Sequence, residues 1–442
     1  MKRLLINKLL DWKNAKARKP IMLDGARQTG KSYLLDVLFG QHFKQVIRLD
    51  FLEQPALKDI FGDSLKPADI LMNIELEFNV SVDKDNTLII FDEIGECQDA
   101  VNSLKFFAEQ YPELFICASG SNIGLLASFP VGKVTLLNLY PMTFEEFVWA
   151  SEQAPLIKAF EQMNLGKVAH EKLFSLLIDY YFVGGMPEAV KCWYNNVDSL
   201  GILVQTEEVK QIHASLLAGY QRDFGKYSDK ISAGHIQAIF NNIPLQLSRN
   251  LDDSVKRFKF KDIIEKKRRY QELSGPITWL EQCRLLSKCH PIDCEPTSPL
   301  PPLSKDNIFK LFFFDIGLLG HMLGLSYKEH KDQRFNYKGY IAENFVQNEL
   351  IAYSGYSSGS PSYSWEYARS EIEFLYKAED GSIIPVEVKS GKRTRAKSLQ
   401  TYVNRYQPKT TLKLIGSTGS LDDPKALVLP LYYASKIQQL DL

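Results

Sequence analysis

An octapeptide near the N-terminus, Gly25-Ala26-Arg27-Gln28-Thr29-Gly30-Lys31-Ser32, fits the spacing G-x-x-x-x-G-K-[ST] and constrains the fold more than any other segment. Such a loop needs a strand to deliver it and a helix whose first turn faces the phosphates. Both neighbours are present. Lys19-Pro20-Ile21-Met22-Leu23-Asp24 reads as a short apolar strand, and Ser32-Tyr33-Leu34-Leu35-Asp36-Val37-Leu38 has helical spacing. The two glycines let the backbone wrap a phosphate with successive N–H groups, at a helix N-terminus that favours negative charge. Lys31 is expected to neutralise the β/γ oxygens and the Ser32 hydroxyl to ligate Mg²⁺. A plain glycine-rich turn is the competing reading, and the flanking strand and helix weigh against it. Residues 25–32 therefore predict nucleoside-triphosphate binding.

The site requires a second, acidic strand. Thr87-Leu88-Ile89-Ile90-Phe91-Asp92-Glu93-Ile94 supplies one, with an apolar run that suits a parallel strand buried on both faces. Its end would open at the ligand edge of the sheet, with Asp92 on the Mg²⁺ hydration shell and Glu93 polarising the attacking water. The Asp–Glu pair favours hydrolysis over a small-molecule kinase, which must exclude water. Another strand, Glu113 to Asn122, ends in small polar residues; Ser119, Ser121 or Asn122 would either sense the γ-phosphate or simply cap the loop. Gln45-Val46-Ile47-Arg48-Leu49-Asp50 completes a β/α alternation to residue 140, and Thr143 is placed to cap the next helix. The expected fold is α/β: a parallel sheet with helices on both faces, as an ATPase domain over 1–150.

At 442 residues the chain has room for about three domains. Lys plus Arg and Asp plus Glu are equal at 53 each, so any attraction to nucleic acid or membrane must come from a local patch. Six cysteines without a C-x-x-C pair suit reduced thiols, and with them a cytoplasmic location. The group Cys283, Cys289, His290, Cys294 has no common zinc spacing, so thiols are expected there rather than metal. The charged N-terminus has no continuous apolar core or cleavage site, and no run approaches the roughly 18 apolar residues of a membrane span.

Residues 151–230 read as helices broken at Gly184-Gly185 and Pro187, with Arg222 either a finger for a neighbouring subunit's nucleotide or a surface salt-bridge partner. In 231–295 a helix His235–Asn242 is expected to stop before Pro244. The stretch Lys256 to Arg269 carries eight Lys/Arg against two acids, with Phe258, Phe260 and Tyr270 close by. Its helix–turn–helix rhythm fits a winged-helix module and the charge fits DNA or RNA phosphate; a solvated face with its aromatics in the core fits as well. Pro296-Thr297-Ser298-Pro299-Leu300-Pro301-Pro302 predicts a stiff connector and a domain boundary.

In 304–442 a helix from Tyr337 to Ala352 carries Glu343 and Glu349. A β-rich run follows, in which Glu371–Tyr376 and Ile383–Lys389 form a hairpin across Glu379-Asp380-Gly381-Ser382. Glu387 and Lys389 share a strand face, and Glu373 sits opposite them. Glu343, Glu373 and Glu387 would hold a divalent metal while Lys389 orients water for phosphodiester cleavage, the (D/E)…E-x-K arrangement of restriction-type nucleases. Charge alternation on an exposed strand accounts for the same residues.

The segments GARQTGKS, LIIFDEI, ASGSN and LYPMTFEEF, then Val183–Val190, Phe309–Leu319 and the EVKSG near residue 390, together resemble a family of prokaryotic AAA-type ATPases. Members carry a C-terminal domain of unknown function related to restriction-endonuclease folds. The resemblance spans essentially the whole chain. It implies a winged-helix middle region and a nuclease-like C-terminal α/β domain. Two departures stand out: Glu373 where members usually have aspartate, and Lys133 where many have arginine. The chain is thus expected to bind and hydrolyse ATP with Mg²⁺ and to couple turnover to nucleic acid. The alternative is an ATP-dependent switch that binds a protein partner, with an inactive nuclease-like fold as platform; an oligomer fits either reading.

Overall fold

The computed structural model describes residues 1–62, 64–121, 123–126, 128–195, 201–225, 230–249, 257–332, 338–354, 362–391 and 397–440. These residues form two compact units. One is Met1–Tyr140 with Gln282–Arg284, and the other is Pro141–Glu281, Leu285–Ser354 and 362–440.

The first unit is built on five parallel strands: β1 (Ile21–Asp24), β2 (Gln45–Asp50), β3 (Thr87–Asp92), β4 (Phe115–Gly120) and β5 (Thr135–Asn138). Their order is β2-β3-β4-β1-β5, which puts β4 between the strand of the glycine-rich loop and the strand ending in Asp92. Every residue of β1, β3 and β4 is buried, as apolar runs in a doubly covered sheet require. The pleat sends alternate residues to two cores. Met22, Ile89, Phe91 and Ile116 pack with Ile70, Ile74 and Leu104, which project from the helices Pro67–Phe78 and Gln98–Gln110. Ile21, Leu23, Leu88 and Ile90 pack with Leu9 and Leu35 from the helices Ile6–Asn14 and Tyr33–Phe39. Each fully buried Leu, Ile or Phe contributes about 1.5–3 kcal/mol relative to exposure.

The second unit begins with helices. Thr143 caps Phe144–Ala150 as expected: its Oγ1 accepts from the Glu146 N–H at 3.3 Å, and Glu146 Oε2 accepts from the Thr143 N–H at 2.9 Å. The Gly184-Gly185 break follows the helix Lys167–Val183 and has a packing cause. Asp315 Oδ2 accepts from the Gly185 N–H at 2.7 Å, and a Cβ on Gly184 would lie 2.4 Å from Asp315 Oδ1. A Cβ on Gly317 would lie 2.5 Å from the Val183 carbonyl oxygen. The two glycine segments of the family resemblance are therefore one backbone-on-backbone contact, closed by a buried carboxylate.

Three expectations are corrected here. The helix over residue 244 does not stop: Lys230–Arg249 runs through Pro244, because Ile239, Phe240, Ile243 and Leu247 bury one face across the missing N–H. The proline segment 296–302 is not a boundary between separate folds. It joins β6 (Leu286–Ile292) to β7 (Lys310–Phe313), which pair antiparallel in a sheet of order β7-β6-β8-β9 with β8 (Ser362–Tyr367) and β9 (Ser370–Ile372). The run Glu371–Tyr376 is not one strand. It divides at Glu373 between β9 and β10 (Phe374–Lys377), and only β10 forms the hairpin with β11 (Ile383–Lys389). The turn uses Gly381 at φ +84°. Parallel strands β12 (Thr411–Ile415) and β13 (Ala426–Pro430) complete the order β10-β11-β12-β13.

Candidate functional site

The loop after β1 has the geometry that phosphate binding requires. Gln28 and Gly30 have φ of +62° and +90°, the left-handed conformations that let a loop before a helix form an anion-binding concavity. A Cβ on Gly25 would lie 2.3 Å from the Leu139 carbonyl oxygen, so only glycine fits there. Thr29 Oγ1 donates to the Ala26 carbonyl at 2.8 Å. Lys31 Nζ folds back onto the carbonyls of Gly25 and Ala26, 2.9 Å from each. Burial pushes its ammonium down to about 8, against the pull of Glu93, Asp24 and Asp92.

Asp92 and Glu93 stand at the end of β3. Asp92 Oδ1 accepts from the Ser119 hydroxyl and from the Glu93 N–H at 3.1 Å. Glu93 adopts a left-handed backbone, φ +49° and ψ +46°, that ends the strand and turns the chain into a short helix. Burial raises its carboxyl, opposed by Lys31 and Arg27. Ser119 thus holds Asp92, and Ser121 is buried just beyond β4. Asn122 lies outside the described residues. Lys133 is bound to Glu109 at 2.7 Å on the surface.

Three arginines missing from the sequence-based site lie beside it. Arg48 of β2 bonds Asp92 Oδ2. Arg3, buried, donates to the Thr29 carbonyl and to the Tyr140 carbonyl at 2.7 Å each. Arg284, grouped with this unit, donates to Asp24 Oδ2 at 2.9 Å and Asn138 Oδ1 at 3.0 Å. Only Arg48 left a trace in the sequence, as a charge inside an apolar strand two residues before Asp50.

A second cluster lies in the second unit. Lys389 Nζ sits 2.9 Å from Glu387 Oε1 and 3.2 Å from Glu373 Oε1, and Glu373 Oε2 accepts from the Val388 N–H at 3.0 Å. Burial raises Glu373, opposed by Lys389 and reinforced by Glu343 and Glu387. Lys310 of β7 enters from the neighbouring sheet, bonding Glu371 and lying 3.7 Å from Glu343 Oε2. The four residues read from sequence are therefore brought together, but with Lys389 between two of the carboxylates. Among the described residues no three His, Cys, Asp or Glu side chains are arranged to hold a metal ion. Glu349 is elsewhere, capping Phe144 at 2.9 Å. Cys283 and Cys289 are buried thiols and Cys294 is an exposed one, none of the three in a disulfide.

The basic stretch, seen from Arg257 on, divides its work. Phe258, Phe260 and Tyr270 pack around Phe309 with ring centroids 5.7–6.4 Å from it, while Arg257, Lys259, Lys261, Lys266, Arg268 and Arg269 are exposed. Lys256 lies outside the described residues, as do Lys392, Arg393 and Arg395, members of a second basic run that the sequence carries from Lys389 to Lys397 and that would suit phosphate contact. Arg222 is in the last turn of Ile202–Phe224 and exposed.

Residues 17–148 match the family model described as AAA domain. Residues 175–329 and 338–433 match two models each described as a domain of unknown function, DUF8612 and DUF4143. A comparison with curated proteins gives no match. Among solved structures, the chain is similar to a Signal Transduction ATPase with Numerous Domains (STAND) protein with a tetratricopeptide repeat sensor from Pyrococcus horikoshii. Identity is 13% and the TM-score 0.26, over 80% of this chain and 45% of that one. The chain thus spans less than half the length of that protein. With the loop and acid geometry above, the AAA match over residues 17–148 supports an AAA-type ATPase domain in the first unit, and with it ATP binding and hydrolysis. No helix among the described residues is long and apolar enough to cross a membrane.

With Lys31 as the phosphate-facing ammonium, nucleotide binding is expected to depend on pH. Its ammonium, held near 8 in the free protein, is stabilised by phosphate, so binding above that pH takes up a proton. The dissociation constant for ATP is expected to be about tenfold weaker at pH 9 than at pH 7. Calorimetry in two buffers of different ionisation enthalpy reads the proton directly. Affinity that stays flat over this interval would mean that the ammonium does not face the phosphates.

Proposed function

We propose that this chain is a Mg²⁺-dependent ATPase that couples turnover to nucleic-acid binding by its second unit. The observation that carries the ATPase half is Lys31, Asp92 and Glu93 converging at the ends of β1 and β3. Ser32, Asp92 and the Lys31 ammonium are the donor set for Mg²⁺ and the β/γ phosphates, and the Gly25 to Ser32 backbone completes the cradle. Glu93 takes the proton of the attacking water.

The nucleic-acid half rests on the exposed basic residues Lys259, Lys261, Lys266, Arg268 and Arg269, on a segment whose aromatic rings pack around Phe309; Arg257 is paired with Glu366. The β10–β13 sheet, with a helix carrying Glu343 before it and Glu387-Val388-Lys389 on its second strand, supports a nuclease-like fold. Lys389 bonded to both Glu373 and Glu387 favours an inactive copy that binds without cutting. That same observation favours the second reading, a switch whose platform takes a protein partner.

ATPase rates with single-stranded DNA, duplex DNA and RNA separate the two. Nucleic acid is expected to raise turnover several-fold, and its affinity to fall steeply with salt. Charge reversal at Arg268 and Arg269 should remove the stimulation without changing the unstimulated rate. Plasmid incubated with Mg²⁺ or Mn²⁺ should stay intact. Stimulation by none of the nucleic acids would leave the protein-partner reading; cleavage lost in Glu387→Ala would restore the nuclease.

A further inference from the structure

The carboxylate that is to serve Mg²⁺ is already engaged on both oxygens. Oδ1 accepts from the Ser119 hydroxyl and the Glu93 N–H, and Oδ2 accepts from Arg48 Nε at 2.9 Å. Arg48 Nη2 lies 2.7 Å from the same Oδ2 as an ion pair while it donates to Asp50 Oδ2. Ser119 and the Glu93 N–H are fixed by buried strand ends. Arg48 is not: its side chain is 33% exposed and reaches two other acids, Asp50 Oδ2 at 2.7 Å and Asp36 Oδ2 at 3.9 Å. Asp50 stands directly opposite Asp92 in the β2–β3 register, and Asp36 lies on the helix that follows the phosphate loop.

We propose that Arg48 is a latch on the metal-binding acid, which Mg²⁺·ATP displaces from Asp92 onto Asp50 and Asp36. A guanidinium and a divalent cation cannot share one carboxylate oxygen at close range without strong repulsion, so the two compete for Oδ2. The two waiting carboxylates keep the released guanidinium paired. Metal entry is thereby linked to a rearrangement that joins β2, β3 and the helix after the loop. Arg48 acts through Asp92 and is a positioning residue. The inference rests on the Mg²⁺·ATP reading of the site.

A fluorescent ATP analogue titrated at graded MgCl₂, and again in EDTA, tests it. Arg48→Ala is expected to lower the half-saturating Mg²⁺ concentration about three- to tenfold. Metal-free affinity in EDTA should change by less than about twofold, since the lysine and loop contacts remain. Arg48→Lys, a point charge without the fork, should fall between. Asp50→Asn removes a resting place for the latch, so it should raise the Mg²⁺ requirement in the wild-type background and have little effect beside Arg48→Ala. Arg48→Gln repeats the measurement should the alanine variant unfold. An unchanged or raised Mg²⁺ requirement without Arg48 would overturn the latch alone. Nucleotide binding by the wild type that is indifferent to Mg²⁺ would overturn the metal reading and the latch together.

Discussion

Glu93→Gln is expected to stop turnover while sparing binding: kcat should fall on the order of 10²- to 10⁴-fold, the range for loss of a positioned general base. The amide matches the carboxylate in shape, so the left-handed turn at φ +49° and its N–H bond to Asp92 Oδ1 are retained. What is lost is the ability to accept a proton. Nucleotide affinity depends instead on the loop backbone and Lys31, and it should stay within about twofold. Phosphate release at saturating ATP, paired with fluorescent-nucleotide binding, separates the two effects. Turnover above about a tenth of wild type would move the base to another group. Lys31→Ala should behave oppositely, because it removes the buried ammonium that nucleotide phosphates meet and loses binding first.

The features of this site that were legible in sequence are those whose chemistry is contiguous. Gly25 to Ser32 and Asp92-Glu93 announce themselves because a phosphate cradle and a strand-end acid pair each occupy a few consecutive residues. Strand alternation also placed Glu387 and Lys389 on one face, where they are found. Long-range partners were invisible. Arg48 meets Asp92 across 44 residues of chain, and nothing in its own neighbourhood names that partner. Lys310 reaches Glu371 only because β9 leaves the hairpin for another sheet, a division at Glu373 that no local preference signals. Pro244 shows the converse, a local rule set aside because one buried helix face outweighs one lost hydrogen bond. The glycine pair at 184–185 marks a break in sequence, yet the cause of the pair lies at Asp315, 130 residues onward.

That contact sets the largest stability loss. Asp315→Ala is expected to destabilise the second unit by about 3–5 kcal/mol, as several buried N–H groups lose their acceptor at about 1–3 kcal/mol each. The carboxylate accepts from Gly185 at 2.7 Å and Leu318 at 2.9 Å, and the Gly317 N–H also points to it. Gly184, at φ +73°, leaves no space for a substitute side chain. Asp315→Asn keeps the volume but turns an amide donor toward donors, so about half the loss should remain. Burial pushes the Asp315 carboxyl up from 3.8 to about 6 despite these bonds. The folded state therefore holds this proton more tightly than the unfolded chain. Its contribution is fully present below 3.8 and is lost as pH rises through about 6. Urea unfolding across this interval should show the advantage of the wild type over Asp315→Asn shrinking as pH rises. An advantage that grew with pH would mean that the N–H bonds outweigh burial and hold the carboxyl below its ordinary value.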